Sequence, residues 1–413
     1  MLAADGRLWA VCGGFVYRFA SNGVPTLVGP INTALGRVSM AANSVEILIV
    51  DGNSGYLVDF ETSGITAVSD VDFPSGVTQA VFLDGYFIVS ADGSGRFYVN
   101  EVADDGSGWN GTDFATAEGS TDSTLAIAES SRELFIFGEN STEVWLNTGN
   151  ASFPFERAGV AFIERGIAAR WSLAKLDGGL FWLGTETSAG SGIVYRMNGY
   201  SPERISTHAI EHFLSGLPDI SDSYAVTYAH DGHPFYALTL PSGDRTFVYD
   251  VATGAWHERA KFMTADGSLS AWTASHHVHI FGKHLVSDIT SGVIYELRDD
   301  TYTDAGDPIL RLRSSPVLSE KQVRMFFAEL RLRMESGSDS NSDSLISLRF
   351  SDNGGHTWSS YLTTPLSVTG RYGVSPVWRR LGAGRNRVFE ISMNSPVRFA
   401  LLSATVEGVA GGS

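Results

Sequence analysis

The feature that most constrains this chain is a repeated pair of short β-type segments, met seven times in the first 300 residues. Residues 6–11 and 15–18 form the first pair, 46–50 and 56–59 the second, 85–89 and 97–100 the third. The fourth to seventh are 133–137 with 143–146, 179–183 with 193–196, 234–238 with 247–250, and 277–281 with 293–296. With unit starts at 7, 46, 85, 133, 179, 233 and 277, the spacings are 39, 39, 48, 46, 54 and 44 residues, the period of propeller blades. Each unit joins a near-continuous apolar strand to a second strand ending in Val-Tyr or a close equivalent. Turns such as Asp51-Gly52-Asn53-Ser54-Gly55 supply the positive φ angles and local acceptors that tight hairpins need. A strand without polar alternation is one buried on both faces, as an inner blade strand is. The pattern predicts an all-β chain, a β-propeller of six or seven blades; a long sandwich or barrel of similar spacing is the competing architecture.

Residues 1–300 are read as propeller repeats and 301–413 as a C-terminal, β-sandwich-like domain. One short helix interrupts the repeats within residues 202–216: Ser206 or Thr207 caps it, Ile210, Phe213 and Leu214 recur at helical spacing, and Gly216 ends it. Beyond residue 300, residues 327–333 and 345–350 alternate basic and apolar residues as half-buried strands do, and residues 338–344 read as a solvated loop.

Charge separates the same two regions. The net charge is −17, yet residues 301–413 carry 13 Lys and Arg against 10 Asp and Glu, so residues 1–300 hold −20. A region that acidic is no general binder of nucleic acid, because neutralising phosphates supplies most non-specific affinity; it can face DNA without adhering. No apolar run reaches the length of a membrane span and the N-terminus lacks a signal-like pattern, so a soluble protein is expected. The single cysteine, Cys12, makes no internal disulfide and is expected to be a small buried apolar residue.

Motifs for chemistry are few. Residues 351–358, Ser-Asp-Asn-Gly-Gly-His-Thr-Trp, resemble the Asp-box hairpin of sialidases and other propellers, where the polar residues order a turn and the tryptophan packs beneath it. The motif keeps a sialidase-like glycoside hydrolase open as an alternative, but residues 1–300 hold no recognisable arrangement of arginines, tyrosine and acid for such a site. His276, His277, His279 and His284 suggest a metal cluster on paper, yet read better as strand-surface histidines, and residues 230–233 read as a turn. No catalytic residue, cofactor or metal site is assigned. A monomeric propeller serving as a binding module is a third possibility.

Scattered along the chain are pieces that, in their order, resemble one family: residues 11–14 followed by Tyr17, residues 36–40, 163–168, 202–210 and 248–250, then 377–382 and 395–397. The chain is similar to the packaged-DNA stabilisation proteins that form the tail hub or nozzle of short-tailed bacteriophages. Members of that family carry a segment before the first blade, whereas Val11 falls near the start here, so this chain is either shorter or truncated there. The resemblance implies a virion structural protein of the phage tail, made in the host bacterial cytoplasm. It implies a ring of six copies below the portal or adaptor ring, meeting other tail proteins. Packaged double-stranded DNA would pass through the lumen without sequence-specific binding, and the ring would retain the genome until ejection. In such a ring the basic C-terminal unit is expected to meet an acidic neighbour, with Arg379 and Arg380 as the expected assembly contacts.

Overall fold

A computed structural model describes the chain except residues 103, 117–122, 186–191, 322, 335–343, 367–374 and 412–413, and the side chains of residues 160 and 161. Most of the loop expected at 338–344 therefore lies outside the described residues. The chain divides into two compact units, one of residues 1–260 with 270–297, the other of residues 261–269 with 298–413.

The first unit is a propeller of seven consecutive antiparallel sheets, four-stranded in the first five blades, five-stranded in the sixth and three-stranded in the seventh. Each blade opens with a strand near the axis: Leu2–Ala4, Ser39–Ala42, Val77–Leu83, Thr124–Ser130, Ala174–Leu176, Tyr224–His230 and Ala274–Ile280. The ring closes where Leu2–Ala4 of the first blade lies against Ala274–Ile280 of the seventh. Six of the seven expected hairpins are the second and third strands of their blades, as in Glu46–Val50 paired with Gly55–Asp59. The seventh is displaced by one strand. Residues 277–280 belong to the opening strand, and Lys283–Asp288 pairs with it and with Ile294–Leu297. That intervening strand, Lys-His-Leu-Val-Ser-Asp, is too polar to stand out as an apolar run.

Two-residue turns join the first and second strands of most blades. Asp5-Gly6, Asp84-Gly85, Asp177-Gly178 and Asp231-Gly232 each place both central residues at positive φ, the turn whose twist matches that of paired strands. Ser131-Arg132 and Phe281-Gly282 adopt the same conformation without the Asp-Gly pair, which is why those two hairpins are hidden in the sequence.

Blade faces pack through aromatic and aliphatic side chains. Trp182 of the fifth blade is fully buried between Phe137 of the fourth and its own Tyr195, at ring distances of 5.2 and 5.5 Å, and its indole N–H donates to the Gly166 carbonyl at 3.0 Å. Cys12 is exposed, against expectation. It ends a strand at the seam between the first and seventh blades, where a Cβ on Gly292 would come within 2.9 Å of its sulfur.

The helix α1, His208–Ser215, joins the fifth and sixth blades. Thr207 caps it, its hydroxyl accepting from the Ile210 amide, while Gly216 ends it in a right-handed conformation. Burial pushes the Glu211 carboxyl up, but the hydrogen bonds from Arg204 and Ser206 outweigh it and hold the group below its ordinary range.

The second unit is a sandwich. Its strands are β1 (Arg311–Ser314), β2 (Met325–Met334), β3 (Leu345–Ser351), β4 (Leu362–Pro365), β5 (Val377–Arg379), β6 (Ala383–Gly384), β7 (Val388–Met393) and β8 (Leu401–Ala410). One sheet has the order β1-β7-β3-β4; in the other, β2 pairs with β5 and β6 on one side and with β8 on the other. Phe327, Leu330, Leu332 and Met334 all point into the core. Strict alternation would turn Phe327 outward, and a bulge between Phe327 and Glu329 resets the register.

Beneath the core the Asp-box works as architecture. Ser351 Oγ accepts the Gly355 amide at 2.9 Å, and Asn353 Oδ1 accepts the Thr357 amide at 2.9 Å. Asp352 takes both arms of the Arg387 guanidinium at 2.7 Å, and Arg387 is fully buried with Phe327, Phe350 and Phe389 around it.

Trp182→Ala is expected to cost the propeller about 3–5 kcal/mol. Asp352→Asn is expected to cost the sandwich about 3 kcal/mol by leaving a buried cation with a neutral partner. Denaturant unfolding of the whole chain, followed by hydrogen exchange on peptides from each unit, checks that each substitution moves one unit's transition and not the other's.

Candidate functional site

The places where this fold can act are the propeller axis, the histidine-rich sixth and seventh blades, and the edges of the sandwich. Along the axis, opening strands of neighbouring blades are stitched by side chains: Gln79 Oε1 accepts the Ile127 amide at 2.7 Å, and Ser39 Oγ accepts the Ala80 amide at 3.1 Å. Between them remains a cavity of about 410 Å³, with Met40, Gln79, Ile127 and Trp171 in its wall.

Arg37 reaches across this axis from the loop between the first two blades. Its guanidinium sits 4.0 Å from the Tyr224 ring centre and 5.9 Å from that of Trp171, and it donates to the Ser275 carbonyl at 3.4 Å. Burial pulls its pKa down and Tyr224 opposes that shift. One cation thus ties the second blade's entry to Trp171 and Tyr224 through their ring faces and to the seventh blade through the Ser275 carbonyl.

The acidic charge of the first unit is partly consumed by turns. Asp51 accepts the amides of Asn53 and Ser54 on one oxygen and the hydroxyls of Thr33 and Tyr56 on the other. Asp288 repeats the pattern with Thr290, Ser291 and Thr273. Asp59 is held below its ordinary range by hydrogen bonds from Thr62.

Seven of the ten histidines fall in the sixth and seventh blades. His277 and His279 share one face of their strand with His284 opposite. His277 Nε2 lies 3.1 Å from His284 Nδ1, in rings parallel to within 16° and 5.3 Å between centres. The rings lie edge to edge, one nitrogen donating and the other accepting. Burial pushes His277 down to about 4, with His284 adding to the effect. Residues 230–233 form the expected turn, and His233 Nδ1 meets Asp250 Oδ2 at 2.9 Å.

In the sandwich, Arg379 ends strand β5, Arg380 follows it, and both are exposed. Arg379 Nε pairs with Glu329 at 2.9 Å, a carboxylate it shares with Arg331 at 2.7 Å. Arg380 stands at φ +59°, its amide donating to the Ala328 carbonyl at 2.9 Å. Two roles were not read from the sequence: the bridge made by Arg37, although residues 36–40 carry part of the family resemblance, and the buried pairing of Arg387, whose partner is 35 residues away.

Comparison with known proteins follows the two units. The family described as "Bacteriophage P22 Gp10, beta-propeller" matches residues 3–302, and "Bacteriophage P22 Gp10, beta-sandwich" matches residues 311–409. No curated protein sequence matches. Among solved structures, the dihydro-heme d1 dehydrogenase NirN in complex with DHE is 14% identical with a TM-score of 0.47, covering 89% of this chain and 75% of its own. A chain of the mitotic checkpoint complex is 12% identical with a TM-score of 0.45, covering 71% and 84%. The exo-β-1,3-galactanase of Phanerochaete chrysosporium with galactose is 11% identical with a TM-score of 0.29, covering 98% and 96%. At these scores the likenesses carry no argument about this chain.

The His277–His284 pair generates a pH dependence. A folded-state pKa below the unfolded value stabilises the fold above the unfolded value, and that contribution is lost as the pH falls. Between about pH 6.5 and 4 the first unit is expected to lose roughly 1–2 kcal/mol from His277, after allowance for its partial exposure. Denaturant titrations at stepped pH should show this slope in the native chain and a flatter one in His277→Gln.

Proposed function

The chain belongs to the bacteriophage P22 Gp10 family of phage DNA-stabilisation proteins, and from that premise we propose that it is a tail nozzle or hub protein of a short-tailed phage. In this reading six copies form a ring beneath the portal, prolong the channel for packaged DNA, retain the genome and release it on ejection. The observation that carries the proposal is the succession of both family domains, in one order, over nearly the whole chain.

Charge supports the role. With −20 on residues 1–300, a ring lined by propellers would repel the duplex and let it slide, since the potential of a like-charged wall opposes adhesion. Aspartates buried in turns are fixed there by hydrogen bonds, so this charge is built into the blades rather than carried on loose side chains. No reaction is proposed: the Asp-box orders a turn in the sandwich, and its Asp352 is committed to Arg387.

The test is the mass of the purified full-length chain by native mass spectrometry, alone and with the portal and neighbouring tail proteins of the same phage. A ring in either setting is the expected result; a monomer under every condition overturns the proposal. Arg379→Glu with Arg380→Glu is expected to weaken assembly by more than about tenfold, roughly 1.4 kcal/mol or more. Unchanged ring formation would remove those two arginines from the contact.

A further inference from the structure

The two long sides of the sandwich are unlike. On one side β4 and β5 approach each other, and the Trp378 indole N–H on β5 donates to the Leu362 carbonyl on β4 at 2.7 Å, so that side is shut. On the other side β1 and β8 stand apart, leaving a groove of about 670 Å³ walled by Leu312, Leu330, Leu332, Phe389, Ile391 and Leu402.

Both strands at the mouth of the groove have a free edge. Strand β8 pairs with β2 alone along its ten residues, and β1 pairs with β7 alone, among the described residues. Nothing on β8 guards that edge: it has no proline or lysine, and Glu407 is its one charged residue. Ala404, opposite the core residue Leu332, is itself exposed, and Leu402 and Val409 are 60% and 70% exposed. A long edge with free backbone groups and exposed apolar side chains is a template for strand pairing with another chain.

The shut side offers what the open side lacks. Leu345, Tyr361 and Leu362 are exposed there, and β4 carries no charge. Beside them β5 ends in Arg379, followed by Arg380, while the facing edge of an open side would present Glu407. Resting on the ring-forming reading above, we propose that sandwiches of successive copies join head to tail. The shut side of one copy enters the open side of the next, β5 extending β8 and β4 closing over the groove against β1. The cations at the end of β5 favour the β8 edge with Glu407 over the β1 edge, which bears Arg311 and Arg313. The contact is heterologous, so each copy donates one side and accepts on the other, and rotation closes the series into a ring.

Two single variants of the full chain test this, each at an already exposed position: Leu402→Asp in the groove and Tyr361→Asp on the donating edge. Native mass spectrometry and sedimentation velocity are expected to show each variant alone losing the ring, with self-association at least tenfold weaker. Mixing the two restores one intact interface, so dimers that grow no further are the expected product. Rings that persist in both variants overturn the proposal while leaving the nozzle reading intact. Loss in Leu402→Asp but not in Tyr361→Asp also overturns it, pointing to a symmetric pairing of β8 with itself. Circular dichroism matching the native chain is required of each variant. One that misfolds is replaced by Leu402→Ser or Leu362→Ser, read by the same outcomes.

Discussion

Everything in the larger unit depends on a blade having two faces that cannot be left wet. The central strands are apolar on both sides: Ile47 and Ile49 pack toward the first blade while Leu48 and Val50 pack toward the third. At about 25 cal/mol per Å² of apolar surface, a sheet of this composition is stable only between two others, and a series of such sheets is stable only when the last meets the first. The contact of Ala274–Ile280 with Leu2–Ala4 supplies that closure. The axis is a consequence of it, narrow because short opening strands crowd there and because Arg37, Gln79 and Trp171 occupy it.

Polar residues follow the same logic. Hairpins that must reverse within two residues require positive φ, and aspartate with glycine meets that need, so acidity accumulates at the turns for reasons of backbone geometry. Aspartates such as Asp51 and Asp288 then satisfy amides that the turns leave without strand partners. An acidic propeller is thus partly an outcome of turn chemistry.

In the sandwich the balance differs. The buried Arg387 is held by a carboxylate and three phenylalanine rings, and the core is continuous on the side where β4 meets β5. On the other side β8 sets Leu401 and Val406 against the core but has the small Ala404 and Gly408 between and beyond them. A unit with one finished edge and one unfinished edge is suited to joining copies of itself.

How much of this was legible in the sequence depends on the range of the interaction. Local patterns determined the blades: apolar runs, Val-Tyr endings and glycine-rich turns are written within about 15 residues of each other, and six hairpins follow from them directly. The helix, its Thr207 cap and the Asp-box turn are equally local. The seventh blade was found but its middle strand was not, because that strand is polar and the turn before it is Phe281-Gly282, so neither signal was present. Tertiary structure alone decided the rest: the closure of the ring, the exposure of Cys12 at its seam, the Arg37 bridge, the Arg387–Asp352 pair and the open side of the sandwich. Each joins residues distant along the chain, and composition or periodicity records which face of a strand is buried but not which partner buries it.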